Sequence, residues 1–151
     1  MATLSVQIEE QVTLNGRDFG HTRTNSITGV ATIDTRVFVA TSTEMDLIKF
    51  DSAAGNGQFI DGALKYLRIS HLSGSDDLKV RVVGTDEEFA VKIPTGGSLI
   101  IFDQSMDATQ TSTTPAVTAD GTVTISYANI NKISVDSSSA DITAEYFIAT
   151  S

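Results

Sequence analysis

Apolar residues recur at every second position through most of this chain, and breaks of Gly, Asn, Asp and Ser cut the alternation into short runs. A period of two is the signature of half-buried strands, and no run carries the 3.6-residue period of a helix. Leu4, Val6, Ile8, Val12 and Leu14 share one phase, which predicts a long first strand over residues 3–14. Glu10 falls on the same face and predicts a bulge or an exposed half. Asn15-Gly16 then reads as a turn, because both residues tolerate the positive φ of a tight hairpin. Residues 15–26 read as a polar loop holding Arg17, Asp18, Phe19, His21 and Arg23. A second β block is expected over 27–40 and a third over 45–50.

The clearest strands follow, at 64–72, 77–83, 88–93 and 98–103, with compact Gly-bearing turns between them. They read as a four-stranded meander. Residues 104–121 form a Thr-rich stretch expected to be a long loop, a length that in a compact domain marks function or mobility. Three more strands are expected at 122–128, 132–136 and 141–149. The resulting fold class is all-β, an antiparallel two-sheet β-sandwich of jelly-roll-like type with an extended N-terminal strand or arm. Residues 1–151 form a single domain, with 1–26 as arm and polar loop. No period of 20–50 residues repeats, which argues against a propeller or a solenoid.

Composition narrows the function classes. Charged residues are only 19% of the chain, while 20 Thr and 16 Ser supply polarity without charge. Thr suits a pleated surface, and a lightly charged surface is cheaper to bury against a partner than one rich in Lys and Glu. The net charge of −9 argues against nucleic-acid binding, which needs Lys and Arg to displace counterions. No apolar run approaches the length of a membrane-spanning helix, and the first ten residues lack the pattern of a signal peptide. The absence of Cys excludes disulfides and suits synthesis in a reducing cytoplasm.

Candidate chemistry is sparse. His21 and His71 are the sole histidines, and no G-x-S-x-G elbow accompanies the serines. No zinc set can be assembled without Cys and with two distant His. Asp76-Asp77 and Asp86-Glu87-Glu88 lack the close alternation of a calcium loop and read as solvated turns. Gly55-Asn56-Gly57 has no following helix to cradle a phosphate. No catalytic, metal-binding or cofactor-binding residue is therefore expected, and the chain reads as non-enzymatic.

Three passages together carry a family likeness: LKYLRISHLSGSDDLKVRV, VKIPTGGSLIIFD and INKISVDSSSADITAEYFIATS. Their layout resembles the small β-sandwich structural proteins of tailed-bacteriophage particles, over roughly residues 60–151. The resemblance rests on layout rather than on a diagnostic motif. It implies a cement or decoration protein in the virion that bridges major capsid protein subunits, commonly as a homotrimer. A neck, tail or fibre component and a carbohydrate-binding module are the alternatives. The interface candidates are Leu4, Val6 and Ile8, on a strand free to join a neighbour's sheet, with Phe19 and the two arginines Arg17 and Arg23, able to anchor on a carboxylate-rich surface.

Overall fold

The computed structural model describes residues 1–55, 57–85, 88–106 and 127–151, and among them every regular element is a strand. The chain begins with a hairpin arm. Strand β1 (Ala2–Glu10) pairs antiparallel with β4 (His21–Val30), and the short β2 (Thr13–Leu14) and β3 (Arg17–Asp18) close its tip. The body is a sandwich. One sheet contains β5 (Thr32–Ala40), β8 (Leu64–Ser73), β11 (Ser98–Ile101) and β15 (Ile142–Thr150), in the order β11-β8-β15-β5. The other contains β6 (Met45–Asp51), β7 (Gln58–Ile60), β9 (Leu78–Val83), β10 (Glu88–Ile93) and β14 (Lys132–Ser137), in the order β10-β9-β14-β6-β7. All pairings in the two sheets are antiparallel except β6 with β7. A two-stranded bridge joins β12 (Ser105–Met106) to β13 (Ala128–Asn129).

The all-β sandwich matches the alternation, but three local expectations need correction. The first strand is not continuous to Leu14: β1 ends at Glu10 and β2 begins at Thr13, and its second half is exposed, as the place of Glu10 on the apolar phase predicts. Residues 15–26 are not a loop, since His21 to Ser26 pair with Ser5 to Glu10. Nor are residues 64–103 a meander. After β8 the chain crosses to the opposite sheet, makes the β9–β10 hairpin there, and returns as β11 beside β8. Gly74 permits the crossing: its φ is 140°, and a Cβ there would sit 2.5 Å from the Ile142 side chain. The expected strand at 122–128 lies largely outside the described residues, as does most of the stretch 104–121.

Between the sheets, Ile48, Leu78, Val80, Val82 and Ile133 of one sheet meet Leu67, Ile69, Ile142, Tyr146 and Ile148 of the other, all essentially without solvent contact. Each such side chain contributes roughly 1.5–3 kcal/mol of burial. Polar pins tie the ends. Asp76 accepts hydrogen bonds from the amides of Ser139 and Ala140, joining the β8–β9 turn to the β14–β15 turn. Gln104 donates to the Ile130 carbonyl and to Asp61 while accepting from the Gly62 amide. The Tyr146 hydroxyl donates to Asp34 at 2.6 Å, and burial first, then that hydrogen bond, pushes its pKa up. His71 is buried in the sandwich with Nδ1 3.2 Å from the Ile93 carbonyl.

The outer face of the five-stranded sheet carries a ladder of ion pairs: Lys92–Asp77, Lys79–Asp136, Arg81 with Glu44 and Glu88, and Asp46 with both Lys49 and Lys132. Hydrogen bonds from Lys49 and then Lys132 hold the Asp46 carboxyl at about 2, below its ordinary 3.8. A depressed carboxyl contributes stability that is present above its unfolded pKa and lost as pH falls toward the folded one. The urea midpoint is expected to stay level above about pH 5 and to drop between about pH 4 and 2. Asp46→Asn should shrink that drop. A decline beginning near neutrality, or an acid limb identical in the variant, would contradict this account.

Candidate interaction surface

The arm is built by local rules. Asn15 at φ 52° and Gly16 at φ 76° make the tight turn that a two-residue hairpin requires. Leu14 then faces Arg17, and the Phe19 amide donates to the Val12 carbonyl at 2.9 Å. Strand parity places Val12, Leu14, Arg17 and Phe19 on one side of the tip. There the Arg17 guanidinium lies 6.0 Å from the centre of the Phe19 ring. Gly20 allows the tip to bend against the ribbon, because a Cβ would come within 2.7 Å of the Glu10 carbonyl oxygen. From Gln7 to Ser26 every residue is exposed. Leu14 and Phe19 remain 59% and 57% exposed and, with the exposed Val12 on the same side, form an apolar cluster at the tip.

At its root the ribbon is seated. Leu4, Val6, Ile27 and Val30 pack on Tyr66, Ile100, Phe147 and Ala149, which point outward from the four-stranded sheet. Tyr66 meets Phe102 and Phe147 edge-on, with ring centres 5.4 and 6.0 Å apart. The registers lay this outer face out as a grid. Ile33, Ala149 and Tyr66 form one row, and Thr35, Phe147 and Arg68 the next. Val37, Glu145 and Ser70 form a third, continued by Ser98 on β11. The arm root covers the rows of Tyr66 and Phe147. Beyond it, Val37 and Val39 stand 66% and 52% exposed along β5, the edge strand of the sheet, and Ile33 stands exposed at its start.

The electrostatics of the two outer faces differ. The five-stranded sheet neutralises its own charges in the ladder described above. On the outer face of the four-stranded sheet, Arg68 is held by Glu145 at 2.5 Å; the Arg36–Asp34 pair, at 3.2 Å, lies on the inner phase of β5. Among the described residues, the basic side chains outside any ion pair are Arg17 and Arg23 on the arm, and Lys65.

The six interface candidates therefore separate into two groups. Leu4 and Val6 are half-buried on the chain's own sheet. Ile8, Arg17, Phe19 and Arg23 are displayed, with Ile8 directly opposite Arg23 in the ribbon. The outward residues of β5 escaped the sequence reading. Their signal was present: Phe38 and Ala40 point into the core while Ile33, Val37 and Val39 occupy the other phase, so this strand is apolar on both faces. The histidines do not meet. His21 lies at the arm's bend near Glu9, Glu10 and Asp18, beside a shallow polar depression, and His71 lies inside the sandwich.

Leu14→Asp combined with Phe19→Asp should leave the urea stability of the chain within about 0.5 kcal/mol of the parent, because neither side chain is buried. Leu4→Asp with Val6→Asp should cost about 1–3 kcal/mol by placing carboxylates on Tyr66 and Phe147. Equal losses from the two pairs would mean that the tip is not free of the body. Comparison of the chain with protein-family models, with curated proteins and with solved structures finds no match.

Proposed function

We propose that this chain is a non-enzymatic structural protein of an assembled particle, of the cement or decoration type in a tailed-phage virion, that binds neighbouring protein subunits through its arm and the outer face of its four-stranded sheet. The observation that carries this reading is the contrast between the two outer faces. One is closed by internal ion pairs, while the other displays large apolar groups and seats the arm, whose two arginines are outside any ion pair among the described residues. Exposed apolar patches rimmed by polar residues mark sites of protein contact, and Arg with aromatic residues are enriched where contact energy concentrates. The strand order is compatible with the jelly-roll form of the sandwich, since β5-β15-β8-β11 and β6-β14-β9-β10 interleave along the chain as two nested Greek keys would. A rigid body with a projecting ribbon suits a protein that must grip a lattice without changing shape.

The partner suited to this arm is a carboxylate-rich protein surface such as that of a major capsid protein, with Arg17 and Arg23 as anchors and Ile8 and Phe19 as the apolar contacts beside them. Arg17→Glu with Arg23→Glu is expected to weaken attachment to stripped capsids at least about tenfold, as reversal of charges at an interface rim does, while circular dichroism and the urea midpoint stay at parental values. Undiminished occupancy of the capsid by the double variant would refute the anchor role. A chain that ignores capsids but retains on a glycan column would instead favour a carbohydrate-binding module.

A further inference from the structure

We infer that the tip of the arm of one copy lies on the outer face of β5 in a second copy, so that the chain assembles with itself, arm to face. This deepens the proposed reading by naming one partner of the arm, and it rests on that reading of the arm as a contact element. The occupant is argued from three observations. First, the chain already uses this pairing of surfaces: the root of the ribbon, with Leu4, Val6 and Ile27, sits on the rows of Tyr66 and Phe147, and the row of Val37 continues the same sheet face. The chain's own tip is not seated there, since every residue from Gln7 to Ser26 is exposed and Val37 is open. A second arm presented to the free rows meets the same kind of surface that the root has found.

Second, the charges are complementary. Residues 1–26 hold Glu9, Glu10 and Asp18 against Arg17 and Arg23, a sum of −1, so the rest of the chain holds −8 of the total of −9. Among the described residues of their own copy the arginines of the arm are in no ion pair, and neither is Asp141, beside the end of β5 where Ile142 pairs with Ala40. An acidic body of the same chain is a fitting receiver for Arg17 and Arg23. Third, among the described residues β5 is an edge strand of nine residues, with apolar groups and no charge on its outward side. Its charged members Asp34 and Arg36 lie on the inner phase, so the outward apolar row is the part of the strand left for a second copy to cover. Each copy offers one arm and one receiving face, so the contact closes by reciprocal exchange in a pair, closes into a larger ring, or propagates.

The test uses the full chain and its mass in solution, by sedimentation equilibrium over a dilution series. The parent is expected to associate. Leu14→Asp with Phe19→Asp (the arm variant) and Val37→Asp (the face variant) should each raise the dissociation constant roughly 30-fold or more, the loss typical of a central contact residue. Both leave the body's core untouched, and circular dichroism checks that they fold. Mixing is decisive: the face variant keeps an intact arm and the arm variant an intact face, so an equimolar mixture should form one-to-one pairs that neither forms alone. A parent that stays monomeric throughout, variants that associate like the parent, or a mixture that stays monomeric would each overturn the inference. A monomer that still attaches to stripped capsids would overturn it while leaving the proposed particle function standing.

Discussion

The seating of Leu4, Val6 and Ile27 on Tyr66, Ile100 and Phe147 is the contact on which the display of the arm depends. A two-stranded ribbon alone is marginal in water, since it has no second layer to bury an apolar face. Here one end of the ribbon borrows the outer face of a sheet whose inner face is already committed to the core. The root thereby gains a hydrophobic floor, and the tip can be held away from the body as an ordered ribbon rather than a loose tail. Gly29 at φ 75°, just before Val30 enters the small cluster on that face, lies at the register shift between the Ala2–Val30 and Leu4–Ile27 pairs and takes the backbone conformation there that a side chain would resist.

The same arrangement explains why the two outer faces had to be resolved differently. Strands in a sandwich alternate, so the residues that do not reach the core must reach water or a second partner. On β9, β14 and β6 those positions are Lys79, Arg81, Lys132, Asp136 and Asp46, which pair across neighbouring strands. Such partly exposed pairs add little stability individually. Their effect is rather to make the face self-sufficient, with its charges answered within the chain. On β15, β8 and β5 the corresponding positions include Phe147, Tyr66, Ile33 and Val37. These cannot be answered by water, and the arm root answers only part of them.

Alternation made the strands and the core side of each readable, because Leu78, Val80 and Val82, or Ile142, Ala144, Tyr146 and Ile148, announce their phase directly. It could not assign strands to sheets. β8 and β9 are separated by a short turn, and both bury one face, but a crossing between layers and a hairpin within one layer give the same pattern of apolar positions. The arm's second strand was hidden for a related reason. A ribbon exposed on both sides has no apolar phase to show, so His21 to Ser26 resembled a loop, although Thr22 and Thr24 have the branched shape that favours strands. The candidate surface was half legible. Ile8, Phe19 and the two arginines stood out against a polar, acidic background, whereas Val37 and Val39 were indistinguishable from core residues until the position of β5 at an edge was known.

That edge position bears on why a chain this poor in reactive groups would keep an exposed apolar strand. Edge strands are usually blunted by charged side chains, inward-pointing ones included, or by proline, bulges or short length. The edge strand β7 at the far side of the other sheet follows that practice, with three residues only. β5 follows it on one phase only: Asp34 and Arg36 stand on the side of the core, tied to each other with Asp34 also taking the Tyr146 hydroxyl, while the strand runs for nine residues and its other phase is apolar. Nothing on its outward side discourages pairing. A long edge strand and a ribbon, each carrying apolar groups that its own copy leaves exposed, are a liability in an isolated molecule. In an assembly, a partner that covers both would turn that exposed area into binding free energy.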